Sequence, residues 1–198
     1  MKEALKILIF CIVMGTVSGA LLVGLNAFTS TQISINEELK LKSAVLDVLR
    51  IPYTKEDALG ALKVFKENVE YIEKDGLTIY EGKDQSVAFE FNGPGVWGAI
   101  HGIISINPDH KTIRTIKILH QEETPGLGSR ISESAFLNQF KDKEFSPALV
   151  FKPAGKAEKN NEVDTITGAT LSSKALEKLL NAAIQSKMGL LNINSGGQ

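Results

Sequence analysis

The spacing of apolar residues changes along the chain, and each change predicts a different element. From Ile7 to Phe28 the run ILIFCIVMGTVSGALLVGLNAF carries no charged side chain. As a helix rising about 1.5 Å per residue it measures roughly 33 Å, enough to cross a hydrocarbon layer of about 30 Å. Lys2 and Lys6 precede the run and the first charges after it are Glu37 and Glu38. That lysine bias predicts a cytoplasmic amino terminus, with the rest of the chain extracytoplasmic. A cleaved signal peptide has the same outline, with Ala20 and Ala27 as small residues near a cleavage point, but its apolar core is only about 7 to 15 residues long. The run therefore predicts a single-pass membrane anchor. Gly15 and Gly19 supply a GxxxG spacing, which packs membrane helices closely but also arises from the general abundance of glycine in them.

Helical spacing returns after a polar connector in Leu39, Leu41, Val45, Val48 and Leu49, and stops at Pro52. Thr54 and Asp57 read as a capping-box-like start for a second helix with Ala58, Leu59, Leu62, Phe65 and Val69 on its apolar face. Between Gly76 and His120 the period falls towards two. LTIY, SVAFEF, WGAIHGIISI and TIRTIKIL are separated by the turn-like EGKDQ, NGPG and NPDHK, which predicts an antiparallel meander. A short helix around Ser132 to Phe140, a strand in ALVFK and a strand near Val163 to Ile166 follow. A last helix from about Leu171 to Met188 carries Leu171, Ala175, Leu176, Leu179, Leu180, Ala183 and Ile184 on one face, and NINSGGQ makes a polar, mobile tail. Helices around an antiparallel sheet define an α+β domain rather than a doubly wound fold. The predicted organisation is an anchor over 1–30, a connector helix over 31–52, one folded domain over 53–190 and a tail over 191–198.

Charge and composition then remove several function classes. Twenty-two basic and twenty-three acidic residues nearly cancel over 198 residues, so the basic surface that neutralises nucleic-acid phosphates is not expected. Cys11 is the only cysteine, which excludes an intramolecular disulfide and a cysteine metal cluster. His101, His110 and His120 lack metal-ligand spacing, and no metal site is expected.

Three stretches carry candidate chemistry. GPGVWG and ETPGLG place glycines where backbone could approach a ligand, and equally where hairpins simply turn. Trp97, the sole tryptophan, offers a face for a planar ligand or a filler for a core. DTITGATLSS sets Thr167 and Thr170 around Gly168 and Ala169 just before the last helix. Free N–H groups and the positive dipole end there favour an anion, while the same hydroxyls could serve only as helix caps. No GxxxxGK follows, so the stretch is not a nucleotide P-loop.

Taken in order behind the anchor, DxxTGAT at Asp164 to Thr170, ETPGLG and PGVWG resemble the FMN-binding subunits of Rnf and sodium-pumping NADH:quinone reductase complexes. The resemblance covers nearly the whole chain and is greater to the G subunit of the Rnf electron transport complex than to the commonly longer C subunit of the quinone reductase. It implies FMN held by a phosphoester to Thr170, with Asp164, Thr167, Gly168 and Ala169 as the stretch recognised for modification. Glu123, Thr124, Pro125, Gly126, Leu127 and Gly128, with Trp97, are implied as other flavin-pocket residues, and His120 is given no role. The resemblance further implies a flavin transferase using FAD outside the cytoplasm. The chain would be an electron-transfer subunit without independent catalytic activity, working with membrane, iron–sulfur and flavin partners in an ion-translocating ferredoxin:NAD oxidoreductase. A different class of function, a non-redox membrane-anchored binding or assembly module, reads the glycine stretches as turns and TGAT as a cap.

Overall fold

The computed structural model describes residues 2–55, 57–74 and 77–195, and the chain divides into two units, Met1–Leu41 and Lys42–Gln198. The first belongs to α1, Lys2–Leu49. Within its stretch Lys2–Ser30 an 18-residue window has a mean hydropathy of 2.4 and no buried residue. By length and composition the stretch is able to cross a membrane. The polar connector is itself helical. Neither Gly nor Pro interrupts residues 29–49, and helical bonding runs through them.

The second unit is built on a five-stranded antiparallel meander in the order β1–β2–β3–β4–β5. The strands are β1 Val69–Lys74, β2 Leu77–Gly82, β3 Val87–Pro94, β4 Ala99–Ile106 and β5 Ile113–Gln121. Period-two alternation sends the side chains of each strand to opposite faces. Val87, Phe89, Phe91, Ile100, Ile104 and Ile113 face one core together with Leu176, Leu180 and Ile184 of α4, Thr170–Ser195. Ala88, Ile103 and Tyr80 face a second core with Ala44, Val45, Leu46, Val48 and Leu49 of α1 and with Ala61 and Phe65 of α2, Ala58–Asn68. The sheet is therefore covered on both sides, as an α+β domain requires. Between β5 and α4 lie a 3-10 turn at Gly128–Ser132, α3 at Ser134–Leu137, a second 3-10 turn at Asn138–Phe140, and the parallel pair β6, Val150–Lys152, and β7, Glu162–Asp164.

Local details differ from the sequence pattern for identifiable reasons. Val69 closes α2 with extended backbone instead of continuing its apolar face. It starts β1, whose Tyr71 and Ile72 pair with Tyr80 and Ile79, adding a strand to the expected meander. Asp57 rather than Thr54 caps α2, its carboxylate accepting from the Gly60 N–H at 2.8 Å. The helix expected over Ser132 to Phe140 is broken into α3 and the two tight turns. β7 ends at Asp164, although the Thr165 N–H still donates to the Lys152 carbonyl at 2.7 Å. α4 runs to Ser195, into the expected tail. The strand start expected at Gly76 and the last three tail residues lie outside the described residues.

Candidate functional site

Three turns meet at the start of α4. The first joins β3 to β4, with the Gly95 N–H donating to the Gly98 carbonyl at 2.7 Å. The second follows β5, where the Leu127 N–H donates to the Thr124 carbonyl at 3.2 Å and Gly126 has φ +72°. Pro125 then occupies the position that favours φ near −65° and Gly126 the position that needs positive φ, which is the chemistry of a type II turn. In the third the Ala169 N–H donates to the Ile166 carbonyl at 2.9 Å, and Gly168 has φ +82°. The glycine stretches are turns, and their folding also assembles a site.

A groove of about 340 Å³ opens between these turns, lined by Val96, Trp97, Thr124, Leu127 and Gly128 on one side and by residues 168–172 on the other. Its apolar walls face outward: Trp97 is 74% exposed, Leu171 71%, Leu127 51% and Val96 41%. Trp97 therefore does not fill a core. Isolated exposed apolar residues are ordinary, but a contiguous set lining a concave surface suits an apolar ligand face.

Thr170 begins α4 and lies exposed on the groove rim. The N–H groups of the first helical turn have no intrahelical acceptor and sit at the positive end of the dipole. The turn ahead of the helix is closed by other groups. The Ser173 hydroxyl donates to the Ala169 carbonyl at 3.0 Å and accepts from the Ile166 N–H at 3.1 Å, so the Thr170 hydroxyl is not one of the groups that close the turn.

The other residues singled out from the sequence separate into three positions. Thr124, Leu127, Gly128, Gly168 and Ala169 line the groove with Thr170 and Trp97. Glu123 is buried beneath it, 2.6 Å from the Ser172 hydroxyl. Pro125 and Gly126 shape their turn and are exposed. Thr167 and Asp164 are not brought to the groove. The positive-φ reversal at Gly168 leaves Thr167 on a separate hollow of about 230 Å³ lined also by Arg130, Glu133 and Gln139. Asp164 turns the other way, its Oδ1 accepting the N–H groups of Ala157 and Lys156, both at 2.9 Å. The Ala157 bond, followed by that of Lys156, holds its carboxyl below the ordinary carboxylate range. Asp164 thus orders the 155–157 loop.

Val96, Leu171 and Ser172 also belong to the site. Val96 lies inside PGVWG, and its neighbour Trp97 was the available signal. Leu171 shares the helical period of the buried face of α4 but precedes its first buried apolar residue. Ser172 is legible only once the turns are brought together. His120 lies outside the groove, 3.5 Å from Glu122. Among the described residues no group of three or more His, Cys, Asp or Glu side chains is placed to hold a metal ion.

Comparison with known proteins is consistent with this arrangement. The FMN-binding domain family matches residues 95–185, a span that contains all three turns. The G subunit of an ion-translocating oxidoreductase complex from Methanosarcina acetivorans is 28% identical over 92% of this chain and 94% of its own. The G subunit of a proton-translocating ferredoxin:NAD(+) oxidoreductase complex from Clostridium ljungdahlii is 36% identical over 46% of this chain, which spans 47% of that relative. In fold, the chain is similar to the crystal structure of the C subunit of the Na(+)-translocating NADH-quinone reductase from Parabacteroides distasonis. The TM-score is 0.67 with 23% identity, covering 80% of this chain and 95% of the other.

Proposed function

We propose, from the match of residues 95–185 to the FMN-binding domain family, that the chain is a membrane-anchored electron carrier with FMN joined to Thr170 by a phosphoester. The observation that carries this reading is the position of Thr170: an exposed hydroxyl on the first turn of a 26-residue helix, at the rim of a groove with apolar walls.

The groove fits the two chemically different ends of such a cofactor. Trp97, Leu127 and Leu171 offer apolar surface to a planar ring and keep water from it. The first N–H groups of α4 offer donors to a phosphate. FMN, when bound, supplies one- and two-electron redox chemistry, which the surrounding protein tunes through charge, hydrogen bonds and burial. Attachment requires a flavin transferase with FAD as donor. The Thr170 oxygen forms its bond to the flavin-proximal phosphorus as the P–O–P link breaks; AMP leaves, and the hydroxyl proton passes to the transferase. In this reading Thr170 is modified once and takes no part in turnover. Small neighbours, Gly168 and Ala169, leave room for the donor.

The host complex in this proposal is an ion-translocating ferredoxin:NAD oxidoreductase of the Rnf type, with other membrane, iron–sulfur and flavin subunits as partners. The extent of similarity to the Methanosarcina relative, 94% of its length, supports that choice over the sodium-pumping quinone reductase. The anchor passes the membrane once, with the amino terminus in the cytoplasm and the second unit outside, as the flanking lysines suggest. The anchor run carries no charged side chain, so the chain would pass electrons and leave ion movement to its partners.

Co-expression with a flavin transferase, followed by denaturing electrophoresis, tests the reading. Flavin fluorescence should stay with the wild-type band and be absent from Thr170→Ala. A wild-type band without fluorescence would leave a non-redox module as the better description. Isolation of the intact complex and identification of its other subunits tests the host.

A further inference from the structure

Glu123 is 4% exposed, and its two oxygens serve two different segments. Oε1 accepts the N–H groups of Val96 at 2.7 Å and Trp97 at 3.4 Å. Oε2 accepts the Ser172 hydroxyl at 2.6 Å. Its own N–H donates to Oε1 of Gln121 at 2.7 Å, which fixes the backbone from which the side chain projects. The side chain accepts on both oxygens and donates to nothing, the pattern of a carboxylate used as a bridge. The chain makes room for it. A Cβ at position 95 would collide with Oε1, and one at position 128 would lie 2.6 Å from the Ser172 oxygen and 2.8 Å from Oε2.

We propose that Glu123 is a positioning residue that clasps the β3–β4 turn to the first turn of α4, and so sets the placement of the Trp97 wall relative to Thr170. The inference rests on the groove being the flavin site, but gives Glu123 a role other than contact with the flavin. Without the clasp, turn 95–98 keeps its internal Gly95–Gly98 bond and loses its registration to the helix that carries Thr170. A carboxylate bonded to backbone N–H groups holds these segments whatever side chains they bear, which suits the joining of a turn to a helix terminus. Gln at 123 preserves the bridge in part: its oxygen accepts from the turn while its amide donates to the Ser172 hydroxyl.

Trp97 is the only tryptophan, so its fluorescence anisotropy reads the turn directly in the full chain in detergent, made without flavin transferase. Attachment of flavin to Thr170 by the transferase with FAD is then timed on the same preparations. Glu123→Ala should lower Trp97 anisotropy and slow attachment by roughly tenfold to a hundredfold, the scale of ångström-level misplacement. Glu123→Gln should restore most of both. Ser172→Ala cuts the α4 half alone, and should slow attachment while leaving Trp97 ordered. If Glu123→Ala does not fold, as judged by circular dichroism, the Gln and Ser172 variants decide. Unchanged anisotropy in Glu123→Ala would overturn the clasp. Disordered Trp97 with an unchanged attachment rate would overturn its positioning role. A wild-type chain that never takes flavin would instead overturn the flavin reading, and the anisotropy comparison would still decide the clasp.

Discussion

Strands β3 and β4 bury Phe89, Ile100 and Ile104 completely, while the turn joining the same two strands leaves Trp97 and Val96 in solvent above a buried Glu123. Within a few residues the usual distribution of polar and apolar groups is inverted. In the sheet, apolar side chains from alternating positions meet α4 and leave water, which is the main favourable term in folding. At the three-turn junction a carboxylate is withdrawn from water and satisfied by three donors, and apolar side chains are presented outward. Folding alone gives little reason to do either. A buried polar group and an exposed apolar patch are the informative departures from ordinary burial, and here they occur together around one hydroxyl.

The largest expected effect tests the sheet side of this contrast. Phe89→Ala should cost about 3–5 kcal/mol in denaturant unfolding, because it empties a fully enclosed position. A loss below about 1 kcal/mol would show that the sheet core is not where stability resides. Gly128→Ala acts at the boundary. Its Cβ must displace Ser172 or Glu123, with an expected cost of about 1–3 kcal/mol. Slowed flavin attachment should accompany that cost, and attachment at the wild-type rate would separate the junction from the site.

Asp164 gives a smaller, pH-dependent effect. Its carboxyl lies below the ordinary value of 3.8 because the Ala157 and Lys156 N–H groups bind its charged form. A depressed folded-state pKa contributes stability that is fully present above the unfolded value and is lost as pH falls through the folded one. Asp164→Asn should therefore lower the thermal midpoint at neutral pH, and the two proteins should converge below about pH 4. A constant difference down to strong acid would contradict the assignment. The smallest stability effects belong to the groove walls: Trp97→Ala and Leu171→Ala should stay within about 0.5 kcal/mol of wild type. Their effect should fall on the tethered flavin, whose fluorescence anisotropy should drop. Unfolding losses comparable to that of Phe89→Ala would mean that these side chains serve the core.

Much of the fold was legible because period and burial coincide. Leu176, Leu180 and Ile184 recur at helical spacing and are buried, and Phe89 and Phe91 alternate onto the face of β3 that meets α4. Leu171 shows where period stops being sufficient. It continues the apolar stripe of α4, but lies at the helix start among the turns, where that stripe meets the groove instead of the sheet. Val69 fits a helical pattern as well as a strand, because a single apolar residue suits either period, and pairing with Gly82 decides it. Of the site, Thr170, Trp97, Leu127 and Gly128 were marked by their motifs. Sequence adjacency could not tell that Gly168 sends Thr167 to a separate hollow, or that Asp164 serves a different loop. Ser172 was invisible for another reason: its partner Glu123 is distant in sequence, and only the meeting of β5 with α4 brings them together.

The attachment of FMN to Thr170 is tested most directly by mass. Trypsin cleaves after Lys159 and Lys174, releasing residues 160–174 as one peptide that contains every hydroxyl of the closing motif. From chain matured with its transferase, that peptide should gain the mass of FMN less one water, and fragmentation should assign the gain to Thr170. An unmodified peptide, or a gain assigned to Thr167, Ser172 or Ser173, would contradict the proposed attachment.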